Sequence, residues 1–204
     1  MTYLFLDCET SGLLRRDLPP GDPGQPWVIS LAAELCDVDG NQLAIINTAI
    51  RANGRTISEG ARAVHGVSSR DAGHTGISEL AALAVLCGRE SFVSQATHLI
   101  GHNIDFDVGV IEGVLLRCGR EASALRRPGL QTACTMKAAT PFCKIAPAKP
   151  RDDGSYKWPS MNECRTMLLG KPANDGLHGA LQDMLDAKEL YFWLRERGAF
   201  EVVA

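Results

Sequence analysis

The apolar run Tyr3-Leu4-Phe5-Leu6 leads without a break into Asp7-Cys8-Glu9-Thr10. Such a short apolar segment reads as a buried central strand. Successive strand residues point to opposite faces, so Asp7 and Glu9 share one face and Cys8 takes the other. Two carboxylates on one face of a buried strand repel, and keeping both charged is costly without a cation. Mg²⁺ prefers a few carboxylates, water and phosphate oxygens. The chain is therefore expected to build its sheet around this strand, with the acidic end open to a cation. Cys8 is expected to pack in the core and take no part in chemistry.

The remaining elements follow from local signals. Ser11 to Pro26 holds four prolines and three glycines and reads as a loop. Trp27 to Asp37 and Leu43 to Ile50 read as two strands joined at the hairpin signal Asp39-Gly40. Ser58 to Val64 predicts a helical turn or two capped by Ser58, and Ser78 to about Ala96 a helix capped by Ser78. His98 to His102 predicts a short buried strand. Asp105 to Cys118 predicts a helix ended by Gly119, Leu130 to Met136 a further strand. Pro141 to Trp158, rich in Pro and Lys, is expected to be an irregular insertion. Met161 to Leu169 and Leu181 to Glu196 predict helices closed by Gly170 and Gly198. This order implies an α/β fold. Its sheet is mixed, three antiparallel N-terminal strands plus parallel strands, with flanking helices.

At 204 residues the chain is expected to be one domain spanning 1–204. No apolar run reaches the roughly 20 residues of a membrane span, and the N-terminus lacks a basic leader, so a cytoplasmic protein is expected. Seven scattered cysteines contain no C-x-x-C pair and read as reduced thiols. The net charge of −3 would become +1 with two divalent cations bound, so charge neither supports nor excludes a nucleic-acid substrate.

Two further segments supply carboxylates. In Gly101-His102-Asn103-Ile104-Asp105-Phe106-Asp107 a strand end passes into a helix, where α/β proteins place functional groups. Asp105 and Asp107, two apart on a helix, point in different directions. Asp105 is read as a solvated helix-start carboxylate, His102 as structural and Asn103 as a cap or turn former. In His178-Gly179-Ala180-Leu181-Gln182-Asp183 the histidine stands before the last helix, between Gly176 and Gly179.

Taken in order, Asp7-x-Glu9-Thr10, His102-Asn103-x-x-Phe106-Asp107 and His178-x-x-x-x-Asp183 resemble the three motifs of the DEDDh family of 3′→5′ exonucleases. That family includes the proofreading (epsilon) subunit of bacterial DNA polymerase III, ribonuclease T and oligoribonuclease. The resemblance runs from Tyr3 to Leu194 and implies a ribonuclease H-like fold. It implies two divalent ions, Mg²⁺ or Mn²⁺, clamping the scissile phosphate. By motif position Asp7 bridges both ions, Glu9 and Asp183 complete the first shell, and Asp107 holds the second. His178 is implied as general base on the attacking water. The product is a nucleoside 5′-monophosphate. Thr10, Ser11, Gly12, His65 and Asn103 are the implied substrate contacts. Ala63-Val64-His65-Gly66-Val67 resembles the segment that meets the terminal nucleotide, but relatives often carry a glutamate where this chain has Gly60, beside Glu59.

The expected substrate is single-stranded nucleic acid with a free 3′ end. Single-stranded DNA is the expected strand, with RNA 3′-end trimming of the ribonuclease T or oligoribonuclease type, or a polymerase-associated proofreading subunit, as the alternatives. Arg15, Arg16, Lys144, Lys149, Arg151 and Lys157 are candidate cations for the strand, with Tyr156 and Trp158 for stacking and Leu13 or Phe106 against the terminal base. The chain stops shortly after the last helix, at Glu201-Val202-Val203-Ala204, so a stand-alone enzyme is expected rather than one tethered to a polymerase by a tail. The run Leu190-Tyr191-Phe192-Trp193-Leu194 is too apolar for one face, so part of it is expected to cover a second subunit or the insertion.

Overall fold

A computed structural model describes residues 1–174, 176 and 179–200. The strands are β1 (Tyr3–Thr10), β2 (Val28–Cys36), β3 (Gln42–Ala49), β4 (His98–Gly101) and β5 (Gln131–Cys134). Among the described residues they form one five-stranded sheet in the order β3-β2-β1-β4-β5. β1 pairs antiparallel with β2 and β2 with β3, while β1–β4 and β4–β5 are parallel. The mixed sheet is the one the strand order implies. The β2–β3 turn places Gly40 at φ 86°, where glycine avoids a side-chain clash.

The helices are α1 (Glu59–His65), α2 (Ser69–His74), α3 (Glu79–Cys87), α4 (Phe92–Gln95), α5 (Ile104–Arg117), α6 (Thr135–Cys143), α7 (Met161–Met167) and α8 (Ala180–Glu196). Ser58 and Ser78 cap α1 and α3 as expected, each hydroxyl accepting a backbone N–H three residues on. The predicted helix over 78–96 is two helices. α3 stops at Gly88, and Ser91 opens α4 with its own reciprocal cap to Ser94. The insertion expected over 141–158 starts later, because α6 runs to Cys143 with Pro141 inside it. Proline deletes one ladder hydrogen bond there. Ala139 and Cys143 bury against α7 and α8, which holds the helix together in spite of that loss.

β1 sits at the centre, and its alternation divides the interior. Leu4, Leu6 and Cys8 face a large apolar cluster with α3 and α5. Tyr3 and Phe5 face α8 through Met184 and Tyr191. The apolar run in α8 is used within this chain: Leu190 and Leu194 bury against α6 and α7, Tyr191 and Phe192 pack edge-on against Tyr3, and Trp193 meets Phe142. No described helix is long and apolar enough to cross a membrane.

Candidate active site

Asp7 and Glu9 leave β1 on the face that already carries Tyr3 and Phe5, and that face packs against α8. Asp183, in the first turn of α8, comes down onto the same spot. One carboxylate oxygen from each of Asp7, Glu9 and Asp183 lies within 4.8 Å of the others. That spacing suits a shared divalent cation, whose oxygen ligands sit about 2.0–2.6 Å from the ion.

Asp107 reaches the same strand end from α5, on the opposite side of the sheet. Gly101 closes β4 against β1, and a side chain there would meet the Leu6 carbonyl at 2.7 Å. Asn103 follows in the left-handed region at φ 63°, which turns the chain sharply into α5. Asp107 is thereby buried to 4% exposure. Its Oδ1 accepts two hydrogen bonds from Cys8, one from the backbone N–H and one from the thiol, each at 3.1 Å. Asp105 points to solvent and pairs with Lys137 at 2.5 Å.

The electrostatics are those of crowded acids. Burial, and then the charges of Asp107, Asp183 and Glu9, hold the Asp7 carboxyl well above the ordinary carboxylate range. Burial pushes Asp107 up to about 7 against the opposing pull of the two Cys8 donors. Such a cluster is stable with protons or with cations, but poorly as bare anions.

A cleft of about 510 Å³ opens beside Glu9, walled by Thr10, Gly12, Leu13, Val64, His65 and Phe106. His65 is 6% exposed. Its Nδ1 accepts the Val67 N–H at 3.1 Å, which puts the ring proton on Nε2. Nε2 has no hydrogen-bond partner, and burial lowers the pKa of the ring, only partly opposed by the nearby Thr10 backbone. Gly60 also lines this cleft, whereas Glu59 does not.

Ser11 and Asn103 do not line it. Ser11 ties the loop down, bonding Trp27 in both directions through its backbone N–H and side-chain oxygen, and it lines a neighbouring cleft with Arg55. His102 is bonded at both ring nitrogens, to Thr135 Oγ1 and to the Pro159 carbonyl, each at 3.1 Å. His178 lies outside the described residues. Sequence reasoning did not find the contact of Cys8 with Asp107 or the cleft positions Val64 and Ala61. The first depends on how α5 is phased against β1, for which a single sequence carries no signal. Of the second, Val64 lies within the His65 segment already singled out, and Ala61 lies on the Ser58-capped helix just before it.

No protein-family model matches the chain, and no curated protein does. Solved structures do match its fold. E. coli exonuclease I in complex with a 5cy-dA13 oligonucleotide aligns with TM-score 0.70 and 18% identity over 96% of this chain and 40% of that one. A product-bound structure of exonuclease I gives 0.67 and 18% over 96% and 43%. A zinc-bound E. coli exonuclease I–single-stranded DNA complex gives 0.67 and 16% over 96% and 40%. The chain thus spans about two fifths of the length of these proteins. At such identities the likeness establishes the shared α/β fold.

Proposed function

We propose that this chain is a divalent-metal-dependent 3′→5′ exonuclease that removes nucleoside 5′-monophosphates from single-stranded DNA. One observation carries the reading: residues 7, 9 and 183, far apart in sequence, put their carboxylates within 4.8 Å of one another, in a fold shared with exonuclease I. Those neighbours are structures of exonuclease I with a single-stranded oligonucleotide, with product and with a zinc ion, which supports the same chemistry here.

The donor set fits hard divalent cations such as Mg²⁺ or Mn²⁺, with oxygen ligands only and carboxylates that raise one another's pKa. Asp7, Glu9 and Asp183 would hold one ion, and Asp7 with Asp107 a second. Bound there, they supply a Lewis acid for the phosphate and a lowered pKa for water. His178 takes a proton from the attacking water. The water oxygen bonds to phosphorus, the P–O3′ bond breaks, and O3′ takes a proton from solvent water as the new strand end. The cleft beside Glu9 receives the terminal nucleotide: Phe106 and Leu13 give it apolar walls, and the unpaired His65 Nε2–H offers a donor. A buried donor without a partner costs about 1–3 kcal/mol, which a substrate oxygen would recover.

The test is degradation of 5′-labelled DNA and RNA strands of equal sequence, with Mn²⁺ or Mg²⁺ and with EDTA. A metal-dependent ladder shortening from the 3′ end, lost in Asp7→Asn, is expected. The faster strand identifies the sugar. No cleavage of either strand by folded protein would refute the reading.

A further inference from the structure

Trp158 is 53% exposed and joins none of the apolar clusters among the described residues. A tryptophan left this open is an uneconomical use of the largest apolar side chain unless something covers it. It is not on a loose loop. The Lys157 N–H bonds the Ile145 carbonyl at 2.9 Å, Arg151 donates to the Tyr156 carbonyl at 3.0 Å, and the Pro159 carbonyl accepts from His102 Nε2 at 3.1 Å. The last bond fixes Trp158 to the strand end from which Asp107 is presented.

A cation stands beside it. The Lys137 ammonium lies 6.0 Å from the centre of the Trp158 ring and reaches Asp105, two residues before Asp107. The pair with Asp105 is exposed on both sides, the kind worth about 0–1 kcal/mol, so a phosphate can compete for the ammonium. From Lys137 to Lys157 the sequence holds five cations and two acids, whereas the whole chain is net −3. This is a positive segment in an otherwise acidic chain. The arrangement is a flat, rigid π-face with a cation at its side, on a basic segment bonded through Pro159 and His102 to the strand end that leads to Asp107. That suits a polyanion that also carries flat rings.

We infer that Trp158 and Lys137 form a stacking platform for single-stranded nucleic acid outside the catalytic cleft, holding a nucleotide upstream of the scissile phosphate. The inference rests on the exonuclease reading for its direction along the strand. Bases of any sequence can stack there, because each has a π-face.

The test uses the full chain in EDTA, so that binding is read without turnover. Anisotropy of labelled oligothymidylate and oligouridylate is titrated with wild type, Trp158→Ala, Trp158→Phe and Lys137→Gln. Trp158→Ala is expected to weaken binding about tenfold, and Trp158→Phe to recover most of the loss. Lys137→Gln is expected to lower the salt dependence of binding by about 0.7 in log–log slope, the value for one phosphate contact on a single strand. Tryptophan fluorescence in wild type should be quenched by the oligonucleotide more than in Trp158→Phe. Cleavage of the same strands by wild type in Mn²⁺ is measured in parallel. Equal affinities of wild type and Trp158→Ala, alongside normal cleavage, would overturn the platform and leave the exonuclease standing. Absence of cleavage would overturn the exonuclease, and with it the platform's role.

Discussion

Cys8 and Asp107 meet through two hydrogen bonds to a single oxygen: the backbone N–H and the thiol of Cys8 both donate to Asp107 Oδ1, each at 3.1 Å. Cys8 sits between Asp7 and Glu9, so the strand that supplies two acids also fixes a third from the other side of the sheet. The thiol lies in the core, as its strand position requires, and touches a site carboxylate as well. Cys8→Ala removes the thiol donor and leaves a small void. It should cost about 1–2 kcal/mol in urea denaturation, with Cys8→Ser recovering the hydrogen bond but not all the packing. It should also weaken Mn²⁺ binding in calorimetry severalfold. Unchanged metal affinity in Cys8→Ala would show that Asp107 needs no such support.

The clustered acids make stability depend on pH and metal together. Burial, helped in Asp7 by the neighbouring acids, raises the folded pKa values of both Asp7 and Asp107, the latter to about 7. Their protonated forms therefore favour the fold below the unfolded value near 3.9, and this advantage is lost as pH rises through the folded values. In EDTA the melting temperature should fall between pH 5 and pH 8. Added Mn²⁺ should restore it at pH 8. Asp7→Asn should melt higher than wild type at pH 8 in EDTA, respond less to Mn²⁺, and lose roughly a thousandfold or more in turnover. A wild-type melt at pH 8 indifferent to Mn²⁺ would argue against a metal centre.

Asp105 and Asp107 differ by two residues and should differ completely in effect. Asp107 is buried against Cys8, whereas Asp105 faces water and pairs with Lys137. Asp107→Asn should lower kcat by at least roughly a hundredfold, and Asp105→Asn should leave it within about twofold. The reverse result would mean that the second motif is aligned to the wrong carboxylate.

The strand carrying Asp7 and Glu9, the turn into α5 and the start of α8 were legible because each has a local signature: alternation, a helix start, a glycine stop. The mixed sheet with three antiparallel N-terminal strands followed from the element order and the Asp39-Gly40 hairpin, whereas the position of β1 between β2 and β4 did not. What was not legible depends on distant contacts. α6 was hidden by Pro141, whose local cost is outweighed by burial of Ala139 and Cys143. α2 is six residues long and was passed over, although the reciprocal cap of Ser68 with Asp71 marks it. The two faces of α8 explain a run of five apolar residues that periodicity alone could not assign.

His102 gives a second, separate pH dependence. Burial pushes its pKa down to about 4, and both ring nitrogens are bonded in the neutral form. The unfolded chain takes up this proton near pH 6.5 and the folded chain does not. Stability should therefore fall as pH drops from about 6.5 to about 4, by up to about 3 kcal/mol, and the loss from this group should level off below that. Denaturation midpoints across that range should flatten in His102→Asn after its own constant loss is subtracted. An equal slope in the variant would place the acid sensitivity elsewhere.

Arg165 and Asp186 join α7 to α8 through an ion pair of 2.5 Å whose side chains are 14% and 3% exposed. Gln182 donates to the other Asp186 oxygen at 3.2 Å, and Arg165 Nε donates to the Pro172 carbonyl at 3.1 Å. The pair thus fixes the helix that presents Asp183 to the connection leading into it. Removing one partner leaves a buried charge without its counter-charge, which costs about 3–5 kcal/mol. Replacing both with apolar residues of similar size removes that penalty. Arg165→Met should therefore be much less stable than wild type, and Arg165→Met with Asp186→Leu should recover most of the loss in urea melts. If the double variant were as unstable as Arg165→Met, the contribution would lie in the Pro172 contact rather than in the charge pair.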